Sequence, residues 1–262
     1  MTDSGMTDDG LRFSFDGEIE RITLAEPGKR NALSLQKMQA LTAHLKAIDT
    51  SASASLVIID AEGPAFSAGH DLGEMCGIEL EASQEIFDAC VELMATIHDI
   101  RQPVIAAVDG IATAAGCQLV AACDLAVATD TSTFATPGVR IGLFCSTPMV
   151  PISRAVGRKR AMQMLLTGNP ISAATAADWG LINSVVSADG LDAAVDQLAA
   201  DILRWSSHTI GVGKAAFYEQ IDQSEPDAYE FTKRVMSSNA VDHVAQEGIS
   251  AFLDKREPEW PA

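Results

Sequence analysis

What the 262-residue sequence lacks is informative first. It contains no G-x-G-x-x-G, no H-E-x-x-H and no G-x-S-x-G, and no complete phosphate-binding loop, since Gly213-Lys214 lacks the upstream glycine. Dinucleotide-dependent hydride transfer, zinc proteolysis, the serine-esterase elbow and ATP hydrolysis therefore lose their usual carriers. Positive charge is scarce: 18 Lys and Arg stand against 36 Asp and Glu, a net charge of −18. A like-signed field opposes attachment to nucleic acid or an anionic membrane, so neither is an expected partner. No apolar run approaches the length of a membrane span. The five cysteines (Cys76, Cys90, Cys117, Cys123, Cys145) form no C-x-x-C pair and sit mostly among apolar residues, which fits reduced, packed thiols. The five histidines are scattered, so no metal is expected. The acidic, polar start MTDSGMTDDG has neither the basic beginning nor the apolar stretch of a signal peptide. A soluble, cytoplasmic protein is the expectation.

What is present centres on PVIAAVDGIATAAGCQLVAACD, Pro103 to Asp124. Val104–Val108 is a short β-branched run closed by Asp109-Gly110, which predicts a buried strand ending in a turn. The small residues from Ala112 to Cys123 suit a helix whose start carries no bulky side chain. Ala114-Ala115-Gly116 there would present unpaired N–H groups and the positive end of the helix dipole to a negative oxygen. The same composition equally suits a close-packed core helix.

Along the chain, residues 1–10 are expected to form a disordered tail, and Leu11 to Leu24 a hairpin turning at Asp16-Gly17. EPGKRNALS breaks the strand, places Lys29 and Arg30 side by side, and offers Ser34 as the cap of a helix bearing Leu35, Met38, Leu41, Leu45 and Ile48. The two cations are either solvated or an anion site. LVIID, Leu56 to Asp60, is a second buried strand, followed by the glycine-rich AEGPAFSAGHDLGEM, whose backbone can come close to a ligand. The apolar spacing of Ile86, Cys90, Leu93, Ile97 and Ile100 marks a long helix. Strand, helix, strand implies parallel pairing with a right-handed crossover. From Arg154 onward the pattern is helical. The expected organisation is thus an α/β core over 11–200 and a helical region over 201–262, without a linker.

GKRNALS, AFSAGHDL, the 103–124 stretch, RAVGRKRAMQMLLTG, WGLINSVV and EGISAFLDKREPEW, in that order, resemble the enoyl-CoA hydratase/isomerase (crotonase) superfamily, and ATAAGCQLVAACD, FATPGV and GLFCSTP are most similar to its subgroup of enoyl-CoA hydratase domain-containing proteins of the third type. The resemblance spans residues from about 11 to 260. It implies a β-β-α superhelix with a helical C-terminal trimerisation region, giving homotrimers or hexamers, and an acyl-CoA or enoyl-CoA as ligand, with no separate cofactor. It places the two backbone donors of an oxyanion hole at His70 and Ala115. It further implies that Lys29 and Arg30 lie near the CoA phosphates, that Ala32, Ala68, Asp71, Leu72 and Gly116 line the nucleotide and pantetheine, and that Phe252 and Lys255 reach CoA, sometimes in a neighbouring subunit.

The sequence departs from the family where hydratases carry two glutamates: those positions are Gln118 and Gly138. An amide holds water without taking its proton, and glycine has no side chain, so conventional hydration is expected to be weak or absent; each lost acid–base group costs about 10²–10⁴ in rate. His70, Asp71, Cys145 and Ser146 are the candidate replacements. Each has a structural alternative: His70 covering the ligand, Asp71 anchoring its loop, Cys145 packing. Two functions follow, an enzyme stabilising a thioester enolate with a nonstandard acid or base, or a non-catalytic carrier or regulator that binds CoA thioesters.

Overall fold

A computed structural model describes residues 2–4 and 9–260. The strands form two sheets. The larger has the order β1-β2-β3-β4-β6-β8-β11, formed by β1 (Thr2–Ser4), β2 (Leu11–Phe15), β3 (Ile19–Leu24), β4 (Leu56–Ala61), β6 (Val104–Val108), β8 (Leu125–Thr129) and β11 (Ser184–Val186). From β3 onward its strands are parallel. The smaller, β10-β9-β7-β5, is built from β5 (Ala65–Ser67), β7 (Ile111–Thr113), β9 (Thr133–Ala135) and β10 (Ile171–Ser172). Each long strand β4, β6 and β8 is followed at once by a three-residue strand of the second sheet. Two of these pairs lead into helices: β5 into α2 (Leu80–Asp99), β7 into α3 (Ala115–Ala122). This repetition is the expected β-β-α superhelix.

Alternation along the strands divides the core. Val57, Ile59, Val104 and Ala106 join the main core with α1 (Leu35–Ser51) and α2, whereas Leu56, Ile58, Ile105 and Val127 turn the other way onto Val195 and Ala199 of α7 (Leu191–Leu203). Ser34 caps α1, its Oγ accepting from the Lys37 N–H at 3.2 Å. After α4 (Met149–Val156), α5 (Arg158–Thr167) and α6 (Ala173–Trp179), the chain ends in α7, α8 (Ser207–Gln220), α9 (Glu225–Ala240) and α10 (His243–Asp254).

Two expectations differ from the structure. Of the tail, residues 1 and 5–8 lie outside the described residues, and Thr2–Ser4 pair antiparallel with Phe13–Phe15 on the open edge of β2. Ala112 belongs to β7, not to the helix, because its backbone pairs with Ser67 and Phe134.

Candidate functional site

The loop after β5 is built on buried hydrogen bonds from the GKRN segment. Asn31, at φ 52°, donates from Nδ2 to the carbonyls of Glu62 and Ala65, both at 2.8 Å, and accepts from the Glu26 N–H at 2.8 Å. Ser67 Oγ donates to the Asn31 carbonyl at 2.8 Å and accepts from the Gly69 N–H at 3.2 Å. Leu33 then forms a parallel bridge with His70: its N–H donates to the Gly69 carbonyl (2.8 Å) and its carbonyl accepts from the Asp71 N–H (3.3 Å). This pattern leaves the His70 N–H without a protein acceptor among the described residues.

The start of α3 meets this loop closely. A Cβ on Gly69 would stand 2.9 Å from Ala114 Cβ and 3.0 Å from the Ala115 nitrogen, and one on Gly116 would stand 2.7 Å from Ser67 Cβ. Glycine at both positions is what lets the two backbones approach. Ala114 holds φ 50°, ψ −119°, a conformation that an alanine reaches only under strain. Ala115 is the first residue of α3, so its N–H has no acceptor within the helix, and the positive end of the dipole sits there.

His70, Ala114 and Ala115 line one cavity of about 440 Å³, closed on its other sides by the 137–148 segment, Met75 and Phe87. Its lining is mainly apolar; the polar side chains on it are those of His70, Arg140, Ser146 and Thr147, and it includes no Asp or Glu. The His70 ring packs edge-on against Phe87 at 5.3 Å, its Nε2 is buried without a partner, and burial pushes its pKa down to about 4. At neutral pH it is an uncharged imidazole. Ala68, Leu72, Gly138, Cys145 and Ser146 line the same cavity. Burial raises the Cys145 thiol, partly offset by a hydrogen bond from the Gly138 backbone. Ser146 Oγ donates to the Phe144 carbonyl at 3.4 Å.

The other predicted residues lie apart from this cavity. Gln118 is buried deeper along α3, its Oε1 3.7 Å from Cys90 Sγ, and lines a second cavity. Asp71 Oδ1 accepts from the Gly73 N–H at 2.9 Å, which turns its own loop. Lys29 is exposed and paired with Glu26 at 3.1 Å; Glu26 also receives the fully buried Lys37 ammonium at 2.8 Å, which holds its carboxyl below the usual range. Arg30 closes the turn at φ 52°, and Ala32 follows, half-buried. Gly116 lies behind the helix start against Ser67. Phe252 is 82% exposed on α10, and Lys255 caps that helix in the left-handed conformation. Sequence reasoning missed Met75, Phe87 and Thr147, which carry no chemical signature that distinguishes them from packing residues, and it missed the second cavity entirely.

Two largely parallel sheets that turn a helix start and a strand-end loop onto one mainly apolar cavity define a crotonase-type protein. The match to the family model for enoyl-CoA hydratase/isomerase runs from residue 14 to 262, and the chain belongs to that family. It is 48% identical to the enoyl-CoA hydratase domain-containing protein 3, mitochondrial, of Danio rerio, over 93% of this chain and 85% of that one. Among solved structures it superposes on an enoyl-CoA hydratase of Mycobacterium smegmatis with a TM-score of 0.94, at 43% identity over 96% of this chain and 98% of that one. The human enoyl-CoA hydratase domain-containing protein 3 gives 0.93, at 45% identity over 96% and 100%. The expected cytoplasmic location is corrected by these relatives: the fish, rat and human proteins are all named mitochondrial. Free cysteines and net charge report redox state and solubility, and neither distinguishes one reducing compartment from another.

Proposed function

We propose that the cavity holds the thioester end of an acyl-CoA or enoyl-CoA, with its carbonyl oxygen between the N–H groups of His70 and Ala115. The observation that carries this reading is that both residues line one mainly apolar cavity while neither N–H has a protein acceptor among the described residues. Donors fixed by the fold cost no reorganisation when negative charge develops on the oxygen, and each contributes roughly 3–4 kcal/mol in comparable sites. An enolate or tetrahedral intermediate is stabilised accordingly. Lys29 and Arg30 meet the phosphates in this reading; Ala32, Ala68, Asp71, Leu72 and Gly116 border the nucleotide and pantetheine. Phe252 and Lys255 approach from a neighbouring subunit of a trimer or hexamer, an assembly supported by the exposure of Tyr229, Met236, Val241, Phe252 and Leu253 on and beside α9 and α10.

Proton transfer is the weak part of the site. With no carboxylate on the cavity, and Gln118 and Gly138 where hydratases carry glutamate, His70 Nε2 is the candidate proton acceptor, and its depressed pKa makes it a poor base. Cys145 and Ser146 are further candidates on the same wall. Conventional hydration is therefore slow or absent, and this deficit favours a second reading, a carrier or regulator that binds the thioester without turnover.

The test is infrared difference spectroscopy with a ¹³C-labelled thioester carbonyl. A shift of the labelled band to lower frequency on binding supports the two-donor site; an unshifted band in a saturated complex overturns it. Mass spectrometry of an acyl-CoA panel then separates enzyme from carrier by the appearance of a product.

A further inference from the structure

We infer that Thr113 is a positioning residue, whose hydroxyl holds the loop presenting the His70 N–H in register with the helix start presenting the Ala115 N–H. The inference rests on the thioester reading above and concerns what keeps its two donors aimed at one oxygen.

The donors belong to different segments, one following β5 and the other following β7. These strands pair at Ala65 with Ile111 and at Ser67 with Ala112, with an irregular register between, and the pairing ends there. One residue further on, Thr113 Oγ1 donates to the Ala68 carbonyl at 3.0 Å. Among the described residues it is the one side-chain hydrogen bond from 113–115 to 68–70.

The peptide units of the loop show what this bond restrains. The 68–69 unit is held at its N–H by Ser67 Oγ at 3.2 Å and at its oxygen by Thr113. The 69–70 unit is held at its oxygen by the Leu33 N–H at 2.8 Å, and its own N–H is the first donor of the site. Between the two units stands Gly69, at φ 89°, a residue type whose backbone torsions are the least restricted. Loosening the unit before that glycine lets the unit after it turn. On the other segment, Thr113 directly precedes Ala114, whose strained φ 50°, ψ −119° turns the chain so that Ala115 opens α3. The strand end that carries one donor thus grips the loop that carries the other.

Strand formation does not call for the hydroxyl. Thr113 is half-buried at the end of β7, where valine, also β-branched and of nearly the same shape, would serve the strand as well. Thr113 does not line the cavity, so it acts through the backbone and not on the ligand.

The experiment is infrared difference spectroscopy of the full chain saturated with butyryl-CoA labelled with ¹³C at the thioester carbonyl, comparing the wild type with Thr113→Val and Thr113→Ser. Affinity is read by calorimetry and stability by a urea melt. The expected result is that Thr113→Val loses at least about half of the wild-type band shift and binds about twofold to tenfold more weakly, while Thr113→Ser, which keeps the hydroxyl, restores both. A band shift intact in Thr113→Val overturns the inference whatever the urea midpoint, since the bond then serves stability alone. Thr113→Ser behaving as Thr113→Val also overturns it, because the methyl group is then what matters. Thr113→Ala against Thr113→Ser makes the same comparison should Thr113→Val fail to fold. An unshifted band in the saturated wild type, or no binding by it, defeats the thioester reading itself.

Discussion

Gly138 directs the position of its missing side chain straight at the carbonyl oxygen of Leu143: a Cβ there collides with that oxygen and comes within 2.9 Å of Cys145 Sγ. A glutamate at this position, where the family resemblance would put one, is thus opposed by space. Pairing Gln118→Glu with Gly138→Glu is expected to give no gain in hydration of a short enoyl-CoA, followed by loss of its conjugated-thioester absorbance. Gly138→Ala alone should cost about 1–3 kcal/mol in a denaturant melt, the usual cost of forcing atoms into a packed site.

Ala114 gives the opposite sign. At φ 50°, ψ −119° it occupies a region suited to glycine, and such strain costs on the order of 1–3 kcal/mol. Ala114→Gly removes the strain and adds the extra unfolded-chain entropy of glycine, about 0.4–1 kcal/mol. The net expectation is stabilisation by about 1 kcal/mol, read as a higher urea midpoint at unchanged slope.

His70 predicts a pH dependence of stability. Its folded-state pKa is lowered to about 4 from 6.5 by burial, so between those values the unfolded chain takes up a proton that the folded chain does not. Its contribution to stability is therefore complete above pH 6.5 and is lost progressively as the pH falls towards 4. His70→Gln should flatten that limb of the stability curve, and NMR titration of the His70 ring should show no protonation near pH 6.

Lys214 is buried and gives its three protons to the Ile97 carbonyl, the Gln102 carbonyl and Asp124, each at 2.7 Å. This ties α8 to the end of α2 and the start of β8. Lys214→Met leaves the partly buried Asp124 with only the Val104 N–H and the Tyr218 hydroxyl, and should cost about 3 kcal/mol. Tyr218→Phe, which removes one bond to the charged Asp124, should cost about 1.5–3 kcal/mol by the same melt.

The long strands and helices were legible for two reasons: β4 and β6 are buried on both faces and read as continuous apolar runs, whereas α1 is buried on one face and shows helical spacing. The three-residue strands β5, β7 and β9 were not, since three residues hold too little of any period, and β7 was accordingly read into the helix that follows it. The two loops at the cavity were legible through their glycines, and Gly69 and Gly116 do stand where backbones meet. The division between two cavities was not. It depends on depth along α3, where three residues advance Gln118 about 4.5 Å beyond Ala115, a displacement that only packing against α2 and α4 turns into a separate space.

Because Gly116 is pressed against Ser67 and Gly69 against Ala114, the approach of the two main chains is also a packing contact on which folding itself depends. The backbone cradle is therefore part of the architecture first, and any chemistry performed there draws on contacts the fold already requires.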